Sequence, residues 1–132
     1  MRVIVNYIGK HRSRPANDMA AEFEKRLGRY CRFEMREIKG EPSTAEKGLR
    51  VALDPAGQLW TSHELARFLE RSQQDVSFFV GGADGFSDEF RSSADQLLSL
   101  SKMTLPHELA RVVLVEQIYR AFTIMRGHPY PR

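Results

Sequence analysis

A chain of 132 residues and 15.2 kDa is long enough for one domain and one core, burying roughly two thirds of its unfolded surface. Its 20 Lys and Arg against 17 Asp and Glu leave a net charge of +3, too little on its own to announce a polyanion partner. A single cysteine excludes an internal disulfide and fits a reducing compartment, and no apolar run approaches the ~18 residues of a membrane span.

Taken in order, the chain opens on residues 2–8, a β-branched run ending at Gly9 that reads as a strand buried on both faces. No signal-peptide core or cleavage site precedes it, so a soluble cytoplasmic protein is expected. A basic loop follows, Lys10-His11-Arg12-Ser13-Arg14-Pro15, and Asn17 reads as the N-cap of a helix running to about Cys31. Cys31, between Tyr30 and Arg32 and without a histidine motif, reads as a helix-end packing residue. Residues 33–38 alternate as a second strand, and residues 39–48 turn to Gly, Pro, Ser, Thr and charge, the composition of a loop.

The third strand, residues 49–53, is closed by Asp54-Pro55-Ala56-Gly57. Thr61 with Glu64 makes a capping box, and Leu65, Phe68 and Leu69 supply the inward face of the helix after it. A fourth strand, residues 76–80, stops at Gly81-Gly82-Ala83-Asp84-Gly85. Ser87 caps a short helix through Phe90 and Ala94, and residues 97–100 form a fifth strand.

Pro106 opens the last helix, which runs from about His107 to Met125. Leu114, Ile118, Ala121 and Met125 make one apolar stripe, and Val112, Val115, Tyr119 and Phe122 a second beside it. The run Val112-Val113-Leu114-Val115 points apolar side chains in every direction, which leaves two readings: a second helix of this chain covers the surplus face, or a second subunit does. Glu116 and Arg120 read as a structural pair within this helix. The tail, Arg126-Gly127-His128-Pro129-Tyr130-Pro131-Arg132, offers cations, an imidazole and an aromatic plane, the chemistry of holding a phosphate backbone and stacking a base.

Alternating strands and helices predict an α/β domain spanning residues 1–132, with a mostly parallel sheet and helices on both faces. Ligands of such sheets sit at the carboxyl ends of the strands, where three loops lie: the turn after Leu53, the glycine loop after Val80 and the polar loop after Leu100. The glycine loop permits close backbone approach but lacks the spacing of a dinucleotide or phosphate loop, and Asp84 disfavours phosphate. His11, His63, His107 and His128 are scattered in sequence, without metal-ligand spacing. No serine lies in a nucleophile elbow. Both ends of the chain are basic: residues 1–14 carry Arg2, Lys10, Arg12 and Arg14 with no acid, and residues 111–132 carry Arg111, Arg120, Arg126 and Arg132 against Glu116 alone.

The pieces VALDPAG, FFVGGADGF and LSLSKMTLPHELARVVLVEQIYRAFTIMRGHPY, in that order behind the opening strand, resemble the ribosomal large-subunit RNA methyltransferase H family. These are SPOUT-type enzymes that methylate N3 of a pseudouridine in 23S rRNA. The resemblance covers nearly the whole chain. It implies a C-terminal trefoil knot, S-adenosylmethionine as cofactor, a homodimer packed through the last helix, and 23S rRNA within the ribosome as partner. It implies neither a metal nor a membrane. Carried over residue by residue, the cofactor contacts are Leu53, Gly81, Leu100, Ser101, Lys102, Met103, Thr104 and Leu105. His128, Tyr130 and Arg132 are the candidates for catalytic base and substrate contacts. Two rival readings stay open: a knotted RNA- or ribosome-binding module without catalysis, and a generic nucleotide-binding α/β protein.

Overall fold

The computed structural model describes residues 1–42 and 47–130 and carries the predicted alternation. Its strands are β1 (Arg2–Ile8), β2 (Arg32–Ile38), β3 (Leu49–Leu59), β4 (Val76–Val80) and β5 (Gln96–Ser99). Its helices are α1 (Arg14–Leu27), α2 (Ser62–Ser72), α3 (Asp88–Ser93) and α4 (His107–Met125). The strands form one sheet in the order β2-β1-β4-β3-β5, with every pairing parallel. All five residues of β4 are buried, as a continuous apolar run must be in the interior of a parallel sheet.

Strand side chains alternate between the two faces. Val3, Val5, Val51, Val76, Phe78 and Val80 share a core with Leu27 of α1, Leu65 and Leu69 of α2, and Leu114, Val115, Ile118, Ala121 and Phe122 of α4. Ala52 and Phe79 point the other way, onto Phe90 of α3. Helices therefore lie on both faces, three on one and only the short α3 on the other. Arginine stems cover part of what α3 leaves: Arg2 pairs with Glu34 at 3.5 Å, and the Arg50 guanidinium lies 5.1 Å from the Phe90 ring and 5.5 Å from the Phe79 ring.

Three local expectations are corrected. α1 begins at Arg14 because Ser13, not Asn17, is its N-cap, accepting the Ala16 amide through its side chain. It stops at Leu27, which puts Cys31 in the α1–β2 turn rather than at a helix end. There Cys31 packs against the core, and burial pushes its thiol up to about 11, so it stays protonated and inert. β3 does not end at Leu53. Leu53 and Gln58 both pair with Leu98, so residues 54–57 loop out and the strand resumes beyond them.

α4 lies between α1 and α2. Val112, Leu114 and Val115 are buried inside this one chain and Val113 is half-buried, so most of the surplus apolar surface is covered by helices of the same chain. What stays open along α4 is Leu109, 44% exposed, with Val113 behind it.

Leu114 is fully buried, and Leu114→Ala is expected to cost about 2–5 kcal/mol. Met19→Ala, at a position 53% exposed, should stay within about 0.5 kcal/mol. Chemical denaturation of the two variants beside the parent chain measures both; equal midpoints for the two would show that α4 is not the centre of the core.

Candidate active site

The ends of β3, β4 and β5 enclose a cavity of about 740 Å³, within the ~300–1,000 Å³ typical of small-molecule sites. Three loops build its wall, each by a different device. Residues 54–57 leave the sheet in a turn fixed by the Ala56 amide donating to Asp54 Oδ1 at 2.7 Å. They can rejoin β5 only because residue 57 is glycine, since a Cβ there would lie 2.7 Å from Leu97 C and Leu98 N. The Gly81–Gly85 loop turns back on itself through the Gly85 amide and the Gly82 carbonyl at 3.1 Å, with Gly85 at φ +72°. The loop after β5 is held by Ser101, whose hydroxyl accepts the Met103 amide at 2.9 Å while its carbonyl accepts the Ser99 hydroxyl.

Leu53, Gly81, Leu100, Ser101, Lys102, Met103, Thr104 and Leu105 all line this one cavity. Its lining combines apolar walls with both signs of charge: the acids Asp54 and Asp84 and the cations Arg91 and Lys102. Asp54 is engaged by Arg91.

The tail residues lie elsewhere. His128 and Tyr130 line a second cavity with His63, Arg120 and Thr123, beyond the C-terminal end of α4. The Tyr130 hydroxyl donates to Glu116 Oε2 at 3.0 Å, its ring stands edge-on to Tyr119 at 4.8 Å, and the Arg120 guanidinium covers it at 4.6 Å. Glu116 and Arg120 form the expected pair at 2.8 Å. Burial, reinforced by the bond to Glu116, raises the Tyr130 phenol above its ordinary value, so at neutral pH it is a donor and not a base. Arg132 lies outside the described residues. The first cavity reaches Ala110 and the second Arg120, about 15 Å apart along the axis of α4, so in this structure the tail residues and the loop residues line different cavities.

A further cluster was not legible in the sequence. The scattered His11 and His107 meet at 5.2 Å between ring centroids, Tyr7 stacks on His11 at 4.5 Å, and Arg111 caps the Tyr7 ring at 4.5 Å. Arg111 is buried and donates to Asn17 Oδ1, while Asn17 Nδ2 donates to the His11 carbonyl. Both His11 ring nitrogens and Arg111 Nε are buried without a partner among the described residues. Desolvation, then the Arg111 charge, lower His11 to about 4. Glu108 and Arg111, one helical turn apart on α4, hold the segment from the other side, through the Ser13 amide and Asn17.

The family model described as "Predicted SPOUT methyltransferase" matches residues 1–131. The chain belongs to the SPOUT methyltransferase family. It is 43% identical to the ribosomal RNA large subunit methyltransferase H of Solibacter usitatus, with all of both chains covered. It is 39% identical to the protein of the same name from Laribacter hongkongensis, covering all of this chain and 99% of the relative. Among solved structures, a probable methylase family protein from Haemophilus influenzae shares the fold at a TM-score of 0.64 and 13% identity, over 99% of this chain and 72% of that one.

As a SPOUT methyltransferase the chain works with a methyl donor, and the first cavity has the volume of a small-molecule site. Its glycines leave room at the floor: a Cβ at Gly82 would meet nothing nearer than Ile8 Cγ2 at 3.9 Å. Among the described residues no group of three or more His, Cys, Asp or Glu side chains is placed to hold a metal, and no helix is long and apolar enough to cross a membrane.

Two predictions follow from this geometry. Gly57→Ala should abolish donor binding and lower the melting temperature by several degrees, because its Cβ strikes backbone of β5, whereas Gly82→Ala should keep the fold. Calorimetry and thermal melting test the pair, and a Gly57→Ala protein that binds donor normally would disprove the close approach. His11 gives a pH signature. The unfolded chain takes up a proton near 6.5 that the fold refuses until about 4, so this residue's contribution to stability is complete above pH 6.5 and is lost as pH falls toward 4. The parent chain should therefore lose stability more steeply than His11→Phe across that window, and superimposable profiles would contradict the buried neutral imidazole.

Proposed function

We propose that this protein is an rRNA methyltransferase of the large ribosomal subunit. In this reading it uses S-adenosylmethionine to methylate N3 of a pseudouridine in 23S rRNA, acts as a homodimer, and carries the C-terminal trefoil knot of its family. The observation that carries the reading is the single cavity on which Leu53, Gly81 and residues 100–105 converge. Relatives bearing the rRNA methyltransferase name and matching over the full chain support the substrate. The way residues 54–57 and 100–106 wrap the same cavity from two sides supports the knot.

S-adenosylmethionine supplies an activated methyl group when bound. The protein's part is to hold, orient and desolvate. Peptide groups of residues 100–105 suit adenine recognition, Leu53, Leu100 and Leu105 supply apolar walls, and the glycine loop admits the ribose and methionine portions without a side chain in the way. Asp84 lies on the rim, where a carboxylate favours the sulfonium. The imide N3 must give up its proton before it attacks the methyl carbon. We assign that proton to the exposed His128 imidazole, since Tyr130 is held protonated. Tyr130 positions the tail, and Arg132 neutralises the anion that forms or an adjoining phosphate.

We place the tail of the active site on a second subunit, because His128 and Tyr130 line a different cavity from Leu53, Gly81 and residues 100–105. The open stripe of Leu109 and Val113, with half-buried Leu100 and Trp60 beside it, is the surface on which that subunit would sit.

The expected outcome with labelled donor is methyl transfer to ribosomes, with donor binding measurable by calorimetry. Absence of binding at millimolar S-adenosylmethionine would remove the enzymatic reading and leave the RNA-binding module. Thr104→Trp, which fills the cavity, and a chain lacking residues 128–132 should each be inactive. Subunits mixed in equal amounts and allowed to exchange should recover about a quarter of the parental rate, because half the dimers then hold one complete site of two. A mixture that stays inactive would sink the shared site.

A further inference from the structure

The Lys10–Arg14 loop lies at the same end of the sheet as the first cavity and is tied to its wall. Ile8, just before the loop, is the neighbour of Gly82, and His11 within it meets His107, which lines the cavity, edge-on at 5.2 Å. The loop alternates. His11 is 9% exposed and points in, while Lys10, Arg12 and Arg14 are exposed and point out.

The backbone of this loop is fastened at several points. Glu108 Oε1 accepts the Ser13 amide at 2.8 Å, Asn17 Nδ2 donates to the His11 carbonyl at 3.0 Å, and the buried Arg111 holds Asn17. Lys10, Arg12 and Arg14 pair with no carboxylate among the described residues, a state they share with other exposed cations such as Lys25, Arg29 and Lys102; what sets them apart is that three stand together on one fastened loop at the end of the sheet that holds the cavity. A rigid backbone that presents unpaired cations has already met the ordering cost of binding a polyanion. Lys10, Arg12 and Arg14 do not line the cavity, so their ligand is not a phosphate of a small molecule bound within it.

We propose that the Lys10–Arg14 loop is a preformed phosphate clamp, gripping the RNA backbone beside the methyl donor held by the same protomer. It deepens the rRNA methyltransferase reading and rests on it. The clamp belongs to the protomer that holds the donor, while the protomer's own tail lies at the far end of α4. A substrate strand is then held from the two subunits at once, by one subunit's loop and its partner's tail.

The test uses the full-length protein with the large ribosomal subunit or a 23S rRNA fragment as ligand, titrated over a range of salt concentrations. Three phosphate contacts should contribute about 2–3 to the slope of log affinity against log salt. The triple variant K10A/R12A/R14A should lose that much slope and bind the RNA at least tenfold more weakly at low salt, with affinity for S-adenosylmethionine within about twofold of the parent, as for a surface change remote from the donor. Glu108→Ala, which unties the loop but keeps its charges, should weaken RNA binding with the slope unchanged, and Glu108→Gln, which retains an acceptor, should restore most of it. An unchanged slope in the triple variant overturns the clamp, as does a parallel loss of donor affinity, which would mean the loop merely supports the cavity. Both outcomes leave the parent chain methylating ribosomes, whereas failure of the function itself shows as a parent chain that transfers no methyl group.

Discussion

Leu114, Val115, Ile118, Ala121 and Phe122 of α4 are packed in one core with Leu27 of α1, Leu65 and Leu69 of α2 and the central strands. A helix gripped on that many sides can neither tilt nor slide without opening voids along its whole length. Its two ends are therefore fixed points. At one end the loop after β5 enters it and forms a wall of the first cavity. At the other the tail folds back onto it. The rigid span between them keeps the residues of the first cavity apart from the tail residues His128 and Tyr130, and in the function proposed above a second subunit brings the two groups together.

The first cavity has a comparable dependence on backbone proximity. β3 leaves the sheet after Leu53 and returns at Gln58, both times against Leu98. The four residues in between exist as a wall only because Gly57 lets two backbones approach closer than any side chain allows. The opposite wall is the Gly81–Gly85 turn. In both places glycine is used for what it lacks. The polar loop closes the third side with a single hydroxyl, Ser101, organising its backbone. A binding site made largely of peptide groups reads a ligand by shape and hydrogen bonding and depends little on side-chain charge.

Where the sequence was legible, short-range physics decided the outcome. The capping box of Thr61 and Glu64, the Ser87 cap and the buried run of β4 each stand as read, because a handful of neighbouring residues settles them. The α/β class, the parallel sheet and the three loops at its carboxyl ends followed from alternation alone. Asn17 was misread as a cap because its side chain is spent on His11 and Arg111, the latter far away in the sequence. The turn at residues 54–57 was recognised, but the return of the strand beyond it depends on β5, which no local pattern reports. The meeting of His11 with His107 is likewise a product of strand order. Eight residues carried over by resemblance converge on one cavity, while composition and periodicity could name only the loops that hold them.

The tail shows how the apolar helix tolerates its polar pair. Glu116 and Arg120 satisfy one another in the midst of α4, and the Tyr130 hydroxyl takes up a further lone pair of Glu116 while its ring shields Arg120. Tyr130 is thus a latch that fixes the tail against α4, with His128 exposed. For His128 of one subunit to face the cavity of the other, the amino end of one α4 must lie beside the carboxyl end of its mate. A two-fold axis across the middle of the helix meets that requirement for both sites at once, since an isologous contact repeats every pairing. The same antiparallel crossing lays the two Leu109–Val113 stripes into the contact. In the proposed dimer, the arrangement that would bring His128 to the partner's cavity is also the one that would bury the apolar surface α1 and α2 leave open, so a single interface would serve both.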